Sequence, residues 1–345
     1  MKVVITIIAA IVIFGSLIFS HEFGHFITAK LSGIKVNEFA IGMGPAIFKK
    51  QRGETLYSLR AIPIGGFNSL EGEDGDSDDV GSFAKAPISS RILVIIAGAL
   101  MNFLFGFIIL TILTATSDVL ASTTVSFFYD DASTHRTGLE INDTIVAIDG
   151  RRMYTIDDII YELARIRDGK AEFVVERNGE KVTLPEVTFD TYYDEELEMN
   201  QVILDFKVFA KEKTFANVMR ESAMWTVSVG RTVFISIIDL LTGHVSVNQL
   251  SGPVGIVSVI SESTSRGLYY VCYLAAFISI NLGVTNLLPI PALDGGRLVF
   301  LLFEAIFRRK INPKYEAVIN VVGFFLLISL MLFITYNDVT KLIRR

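Results

Sequence analysis

His21, Glu22 and His25 stand in the run His21-Glu22-Phe23-Gly24-His25, directly behind an apolar stretch from Val3 to Phe19. Two histidines at i and i+4 share one helix face, about 6 Å apart along its axis. Both imidazoles can then reach one Zn2+, and the carboxylate between them can reach a bound water as a general base. A charged side chain at the centre of a membrane helix costs roughly 2.5–3.5 kcal/mol, so ionisable residues in an apolar helix are functional candidates. The pattern points to chemistry performed within a bilayer.

A catalytic zinc takes three protein ligands and keeps one position open. Only two further histidines exist, His135 and His244, and neither has a motif around it. Aspartates and glutamates are abundant, so context must supply the third ligand. The stretch Asn286-Leu287-Leu288-Pro289-Ile290-Pro291-Ala292-Leu293-Asp294-Gly295-Gly296 stands out. Its two prolines end a helix and free backbone carbonyls. Its two glycines permit tight turning beside Asp294. Backbone broken at membrane depth is tolerated only against protein or a wet cavity.

The elements that must position these residues follow from composition. Of 345 residues, 51% are hydrophobic, and the mean hydropathy is +0.49. A polytopic membrane protein is therefore the first class to consider. The net charge of −6, with no basic stripe interleaved with aromatics, argues against a nucleic-acid partner. The single Cys272 excludes an intrachain disulfide and a cysteine metal cluster. Lys2 and the following apolar run resemble a signal peptide. However, the run is longer than an ordinary h-region, lacks an A-x-A cleavage site and resumes past the motif at Phe26, Ile27, Ala29 and Leu31, so it reads as a retained span.

Four spans are expected, at about 3–31, 92–113, 268–288 and 317–336, each near the ~20 apolar residues that cross a hydrocarbon core. Residues 225–241 are apolar but broken by Ser228, Gly230, Arg231, Ser236 and Asp239. They are expected at the interface or lining a cavity; a fifth span is the alternative and would reverse the later topology. Between the first two spans, Ile41-Gly42-Met43-Gly44-Pro45 and Ile64-Gly65-Gly66-Phe67 flank strand-like residues, which suggests a hairpin or small sheet. The acidic stretch 71–79 is expected to be a solvated loop. Asn102 in the second span is expected to bond between helices.

Residues 122–211 form a polar block too hydrophilic for lipid. Alternation at Thr144-Ile145-Val146-Ala147-Ile148, a turn at Asp149-Gly150, helical spacing over 155–165 and Asn178-Gly179 between two strand-like runs predict an α+β domain. With four spans, the ends of the first and third emerge on one face, which brings His21, His25 and Asp294 to the same side. Lys30, Lys35, Lys49, Lys50 and Arg52 after the first span, and Arg308, Arg309, Lys310 and Lys314 before the fourth, mark that side as cytoplasmic. Lys341, Arg344 and Arg345 run against this orientation. The fold class expected is a polytopic α-helical membrane protein of about four transmembrane helices, with a membrane-associated β-hairpin region and an inserted extracytoplasmic α+β domain. Its divisions fall at 1–121, 122–211 and 212–345.

The combination resembles the site-2 protease family of intramembrane zinc metalloproteases, in its bacterial branch with a PDZ domain between the second and third spans. The resemblance covers nearly the whole chain. His21–His25 match the family's His-Glu-x-x-His; Asn286, Pro289, Pro291 and Leu293-Asp294-Gly295-Gly296 match its second motif; Ser251-Gly252-Pro253-Val254-Gly255 matches a further segment. The polar block is similar to one PDZ domain through Thr137-Gly138-Leu139, Asn142-Asp143-Thr144-Ile145 and Ile148-Asp149-Gly150. It departs from the usual pattern at Glu140 and Asn142, where Lys and Gly are common.

The resemblance implies Zn2+ held by His21, His25 and Asp294, with Glu22 as the base that activates water. It makes Asn286 a candidate for holding substrate backbone or the oxyanion, and the hairpin segment around Gly42–Gly44 and Gly65, Gly66 and Phe67 a candidate edge strand that keeps substrate extended. It implies as partners the lipid bilayer and membrane-anchored substrates, either regulators of the anti-sigma-factor type or remnant signal peptides. A site-1-type protease would act first on the substrate, in a cell membrane with the PDZ-like domain outside and the zinc site near the cytoplasmic face. Two rival classes are a transporter or ion pathway, against which no internal repeat of spans is found, and a PDZ-bearing receptor with purely structural zinc, against which Glu22 stands as a base that a closed site does not need.

Overall fold

The computed structural model describes residues 2–73, 77–195, 199–243, 252–309 and 311–344. The expectations attached to His244, Ser251, Lys310, Arg345 and the middle of the acidic stretch fall outside these residues. In chain order the elements are α1 (Lys2–Leu31), β1 (Val36–Arg52), β2 (Thr55–Leu70), α2 (Ile88–Thr116), β3 (Leu120–Phe128), α3 (Ser133–Arg136), β4 (Thr144–Ile148), β5 (Arg151–Arg152), α4 (Ile156–Leu163), β6 (Lys170–Arg177), β7 (Glu180–Thr188), β8 (Thr191–Asp194), β9 (Met199–Val202), β10 (Phe206–Lys211), α5 (Phe215–Leu241), α6 (Pro253–Arg266), α7 (Leu268–Leu287), α8 (Asp294–Phe307) and α9 (Pro313–Arg344). They form two compact units, Met1–Ile109 with Gly230–Arg345, and Leu110–Val229.

Among the described residues, five helices are long and apolar enough to cross a membrane: α1, α2, α5, α7 and α9. The outward faces of α1, α2 and α9 are apolar, as lipid requires: Val3, Ile7, Ile11, Leu100, Ile108, Val318, Phe325 and Leu332 are all exposed. The least apolar of the five is α5, with a mean hydropathy of 1.3 against 2.8 for α1. It begins at Phe215, ten residues ahead of the apolar stretch that the sequence marks at 225. In its first half, Glu221 is buried and takes Lys211 Nζ at 2.7 Å, while Ser228 Oγ donates to Asp158 of α4.

Within the first unit, small residues let the helices close on one another, as expected where lipid gives no hydrophobic drive to association. A Cβ added at Gly24 of α1 would stand 2.4 Å from Ala97 O of α2, and one at Gly283 of α7 would stand 3.0 Å from the Phe103 ring. Ser20 Oγ donates to Met101 O, and Ser279 Oγ donates to Asn102 O, so polar side chains link α1 and α7 to α2. The N-terminus of α6 is closed by α9: Asp338 Oδ2 accepts from Gly252 N at 2.9 Å and from Gly255 N at 2.8 Å. That bond accounts for the Gly252-Pro253-Val254-Gly255 segment as a helix start docked on a buried carboxylate. Arg91 of α2 makes two hydrogen bonds to Glu304 of α8, at 3.0 and 2.6 Å, which fixes α8 against α2.

The hairpin β1–β2 curls on itself. Residues 36–41 pair on one side with 66–70 and on the other with 56–59, and the latter pair again with 48–51. Four segments result, in the order 66–70, 36–41, 56–59, 48–51, and among the described residues no other strand covers the outer edge of 66–70. Of the acidic stretch that follows, Glu71, Glu73 and Asp79 are anchored rather than freely solvated. Glu71 accepts from Asn37 and Ser77, Asp79 pairs with Lys35 at 2.7 Å, and Glu73 pairs with Arg297 of α8.

The second unit carries a six-stranded sheet, β10-β3-β4-β6-β7 with β5 beside β4, over a core that includes Val125, Leu139, Ile145, Ile148, Ile159 and Phe173. The Asn178-Gly179 turn joins β6 to β7 with both residues at positive φ, 54° and 85°, the geometry a two-residue hairpin demands. Thr155 and Asp158 close a capping box at the start of α4. Asn142 adopts φ 74°, so the position where glycine is common keeps a glycine-like backbone with the side chain that tolerates it best. Arg177 bridges Asp143, Glu140 and the Gly138 carbonyl. His135 Nδ1 lies 3.0 Å from Leu139 O and its ring stacks on Phe128, a structural role within this unit.

Candidate metal centre

The helix α1 continues unbroken through His21, Glu22 and His25, so the i, i+4 spacing places both imidazoles on the face turned to α2. His25 Nδ1 lies 2.8 Å from Val94 O. A carbonyl only accepts, so Nδ1 carries the proton and Nε2 presents a bare lone pair. That lone pair faces His21 Nε2 at 3.2 Å and Asp294 Oδ2 at 3.3 Å, and His21 Nε2 lies 3.3 Å from the same oxygen. Asp294 Oδ2 is buried without a hydrogen-bond partner.

Two imidazole nitrogens and a carboxylate oxygen converging this closely offer one ligand atom each to a shared cation. Ligands about 2.0–2.1 Å from a tetrahedral zinc stand about 3.3 Å from one another, and the three separations here are 3.2, 3.3 and 3.3 Å. The donor set therefore fits zinc. Room for it is made by Gly98 of α2, where a Cβ would meet His25 Nε2 at 2.2 Å and His21 Cε1 at 2.7 Å.

Asp294 reaches this point because α7 stops at Leu287 ahead of Pro289, and α8 begins at Asp294 itself. The start of α8 is pressed against the preceding loop: a Cβ at Gly295 would lie 2.0 Å from Leu288 O, and one at Gly296 2.6 Å from Ile290 O. Only glycines allow that return, which explains the pair after Asp294. Asn286 Nδ2 stands 3.4 Å from His21 Nδ1, and Asn102, fully buried, brings Nδ2 to 3.3 Å from the same atom. Asn102 thus bonds between helices as expected, and its partner is a histidine of the motif.

Glu22 lies beside the triangle on a cavity of about 400 Å³ that His21, His25, Asp294 and residues 66–70 also line. Gly66 and Phe67 belong to the cavity wall. Gly65 packs away from it, where a Cβ would meet Met43 Cε at 2.7 Å. Sequence reasoning did not single out Asn68, which donates from Nδ2 to Glu22 Oε2 at 2.7 Å and to Glu22 O at 2.8 Å. The signal available for it was the two-residue strand period, which puts Asn68 on the face of Gly66. Arg297 was missed too; it lies one helical turn past Asp294 and lines the same cavity with Glu73.

Two imidazoles and a carboxylate converging on one point, with a second carboxylate beside them and a polar-lined cavity among apolar helices, define a metallohydrolase set in a membrane. The model of peptidase family M50 matches residues 9–330. A putative zinc metalloprotease of Clostridium acetobutylicum is 35% identical across 96% of this chain and 97% of its own length. A second putative zinc metalloprotease, from Clostridium perfringens, is 38% identical across 96% and 98%. The regulator of sigma-W protease RasP of Bacillus subtilis is 31% identical across 98% and 99%. The chain belongs to peptidase family M50, the site-2 protease family: it is a membrane zinc metalloendopeptidase, and zinc is its cofactor.

Proposed function

We propose that His21, His25 and Asp294 hold the zinc, that Glu22 is the general base, and that the enzyme cleaves peptide bonds in or near transmembrane segments of membrane-anchored proteins. The observation that carries the assignment is the triangle of potential ligand atoms 3.2–3.3 Å apart beside a carboxylate on a shared cavity. Zinc held there supplies Lewis acidity, making water acidic near neutral pH and polarising a carbonyl.

The protein's own groups do the rest. Glu22 removes the proton of the attacking water and returns it to the departing amine as the peptide bond breaks. His25 keeps its Nε2 lone pair inward because Nδ1–H is committed to Val94 O. His21, with Nε2 inward, carries its proton on Nδ1, and the carboxamide oxygen of Asn102 or Asn286 receives it after a half-turn of the amide. When Asn102 takes that bond, Asn286 is left to hold substrate backbone or the oxyanion. A helical substrate hides its carbonyls in i→i−4 bonds and must unwind to react. The uncovered edge of 66–70, with Gly66 and Phe67 on the cavity wall and Gly65 at its turn, offers hydrogen bonds to an extended segment.

Membrane-anchored regulators of the anti-sigma-factor type, or remnant signal peptides, are the substrate classes. The Bacillus relative named for sigma-W regulation supports the first. A site-1-type protease acting earlier on the substrate belongs to the same scheme. Four spans, α1, α2, α7 and α9, suit this reading, with 225–241 at the interface or lining a cavity; the polar contacts of Glu221 and Ser228 in the first half of α5 support it. Residues 122–211 are then a single extracytoplasmic PDZ-like domain between membrane divisions at 1–121 and 212–345, with the zinc site near the cytoplasmic face.

The test is a cleavage assay on a short transmembrane peptide with metal analysis in parallel. Glu22→Gln should abolish cleavage and keep zinc; Asp294→Ala should lose zinc. Full activity in the first variant or full metal content in the second would reject the corresponding role. A tag within 122–211 that reacts only from the cytoplasm would overturn the orientation.

A further inference from the structure

The two Asn68 hydrogen bonds do different things. The bond to Glu22 O joins strand to helix and would serve any packing role. The bond to Glu22 Oε2, at 2.7 Å, fixes the rotation of the carboxylate itself. The strand is held to the same spot by a second close contact, since a Cβ at Gly66 would meet Glu22 Cγ at 2.9 Å and Ile18 Cγ2 at 3.0 Å. Gly66 and Asn68 lie two residues apart on one face of β2, so one strand segment both crosses over Glu22 and grips it. Its backbone register is fixed in turn: Asn68 pairs with Phe39, whose ring packs on Phe19, Phe26 and Tyr57.

A glutamate has three rotatable bonds, and on a helix facing a cavity nothing in α1 alone selects the one carboxylate orientation that meets an attacking water. The carboxamide of Asn68 does so. It leaves one oxygen of Glu22 occupied by a donor and the other, Oε1, free to take a proton. Because Asn68 belongs to the strand with the uncovered edge, the orientation of Glu22 depends on the placement of the segment that would receive substrate. We infer that Asn68 is a positioning residue for the hydrolysis, holding the Glu22 carboxylate through its side-chain amide and tying it to strand 66–70. This inference rests on Glu22 being the general base.

The experiment uses the full chain in detergent, with a transmembrane peptide as substrate and zinc content measured on the same samples. Asn68→Leu keeps the number and branching of the side-chain heavy atoms and removes the donor. It should lower kcat by about 10–100-fold with KM within about twofold and zinc content unchanged, as found when partners that orient catalytic groups are removed. Asn68→Gln, which restores a donor on a longer arm, should recover part of the loss. Thermal unfolding supplies a readout free of turnover. Asn68→Leu should lower Tm less in a Glu22→Ala background than in the wild type, because the side-chain bond is already gone. A kcat at the wild-type level, a loss confined to KM or zinc content, or equal Tm losses in both backgrounds would overturn the inference. Retained cleavage by Glu22→Gln would instead overturn the assignment of the base. An inactive Glu22→Gln beside a fully active Asn68→Leu would leave that assignment standing and remove Asn68 alone.

Discussion

The sharpest test of the metal centre is a single methyl group on the helix opposite it. In Gly98→Ala the new Cβ would fall 2.2 Å from His25 Nε2, whereas ordinary contact begins at 3.4 Å, so the ring or α2 must yield by about 1.2 Å. The ring cannot swing freely, because Nδ1 is held by Val94 O on the same helix α2 that carries the methyl group. Moving α2 as a whole away from α1 opens the close contact of Gly24 with Ala97 O and stretches the Ser20–Met101 O bond. Metal sites tolerate displacements of about 0.2 Å in ligand position, and a shift several times larger should cost roughly a hundredfold or more in zinc affinity. The control is Gly15→Ala on α1, where the same methyl group meets nothing within 4 Å. The assay is zinc retained by purified protein against a graded series of competing chelator, followed by peptide cleavage. Gly98→Ala should lose metal and activity together while Gly15→Ala retains both. Wild-type zinc affinity in Gly98→Ala would refute the packing argument and the ligand geometry built on it.

Gly295→Ala places a Cβ 2.0 Å from the backbone oxygen of Leu288, so it should displace Asp294 and lower zinc content; normal metal loading would show that the start of α8 tolerates a side chain. Asp338→Ala leaves the amides of Gly252 and Gly255 without their acceptor, which should cost about 1–3 kcal/mol in denaturant unfolding; a change below about 0.5 kcal/mol would remove Asp338 as the cap of α6. The Asp157 carboxyl is pushed up to about 6 by its burial, with Asp158 and Glu221 adding to the effect. A carboxyl whose folded pKa exceeds its unfolded value of about 3.9 favours folding only while protonated, and that contribution is lost as pH rises through about 6. Asp157→Asn should therefore raise Tm at pH 8, with the gain shrinking toward pH 4; an equal gain at both would refute the charge argument.

Features that depend on neighbours in the chain were legible in the amino-acid order. The shared face of His21 and His25, the end of α7 before Pro289, the Asn178-Gly179 turn and the long apolar helices follow from helix period, proline sterics, backbone φ and hydrocarbon thickness, each acting over a few residues or one span. Asp294 was found by its setting of prolines and glycines, which signals a tight local path without saying what the path approaches. Tertiary packing alone decided that Asp294 Oδ2 stops 3.3 Å from both histidines, that Val94 O selects the His25 tautomer, and that Gly98 clears the space between them. It also curled β1–β2 so that Asn68, 46 residues beyond Glu22, closes on the carboxylate. The acidic stretch reads as a solvated loop because charge runs usually are; Lys35, Asn37 and Arg297 hold its described residues in place. Such contacts join residues far apart in sequence, and their distances are set by which small side chains let helices and strands approach. No local rule of sequence reports that.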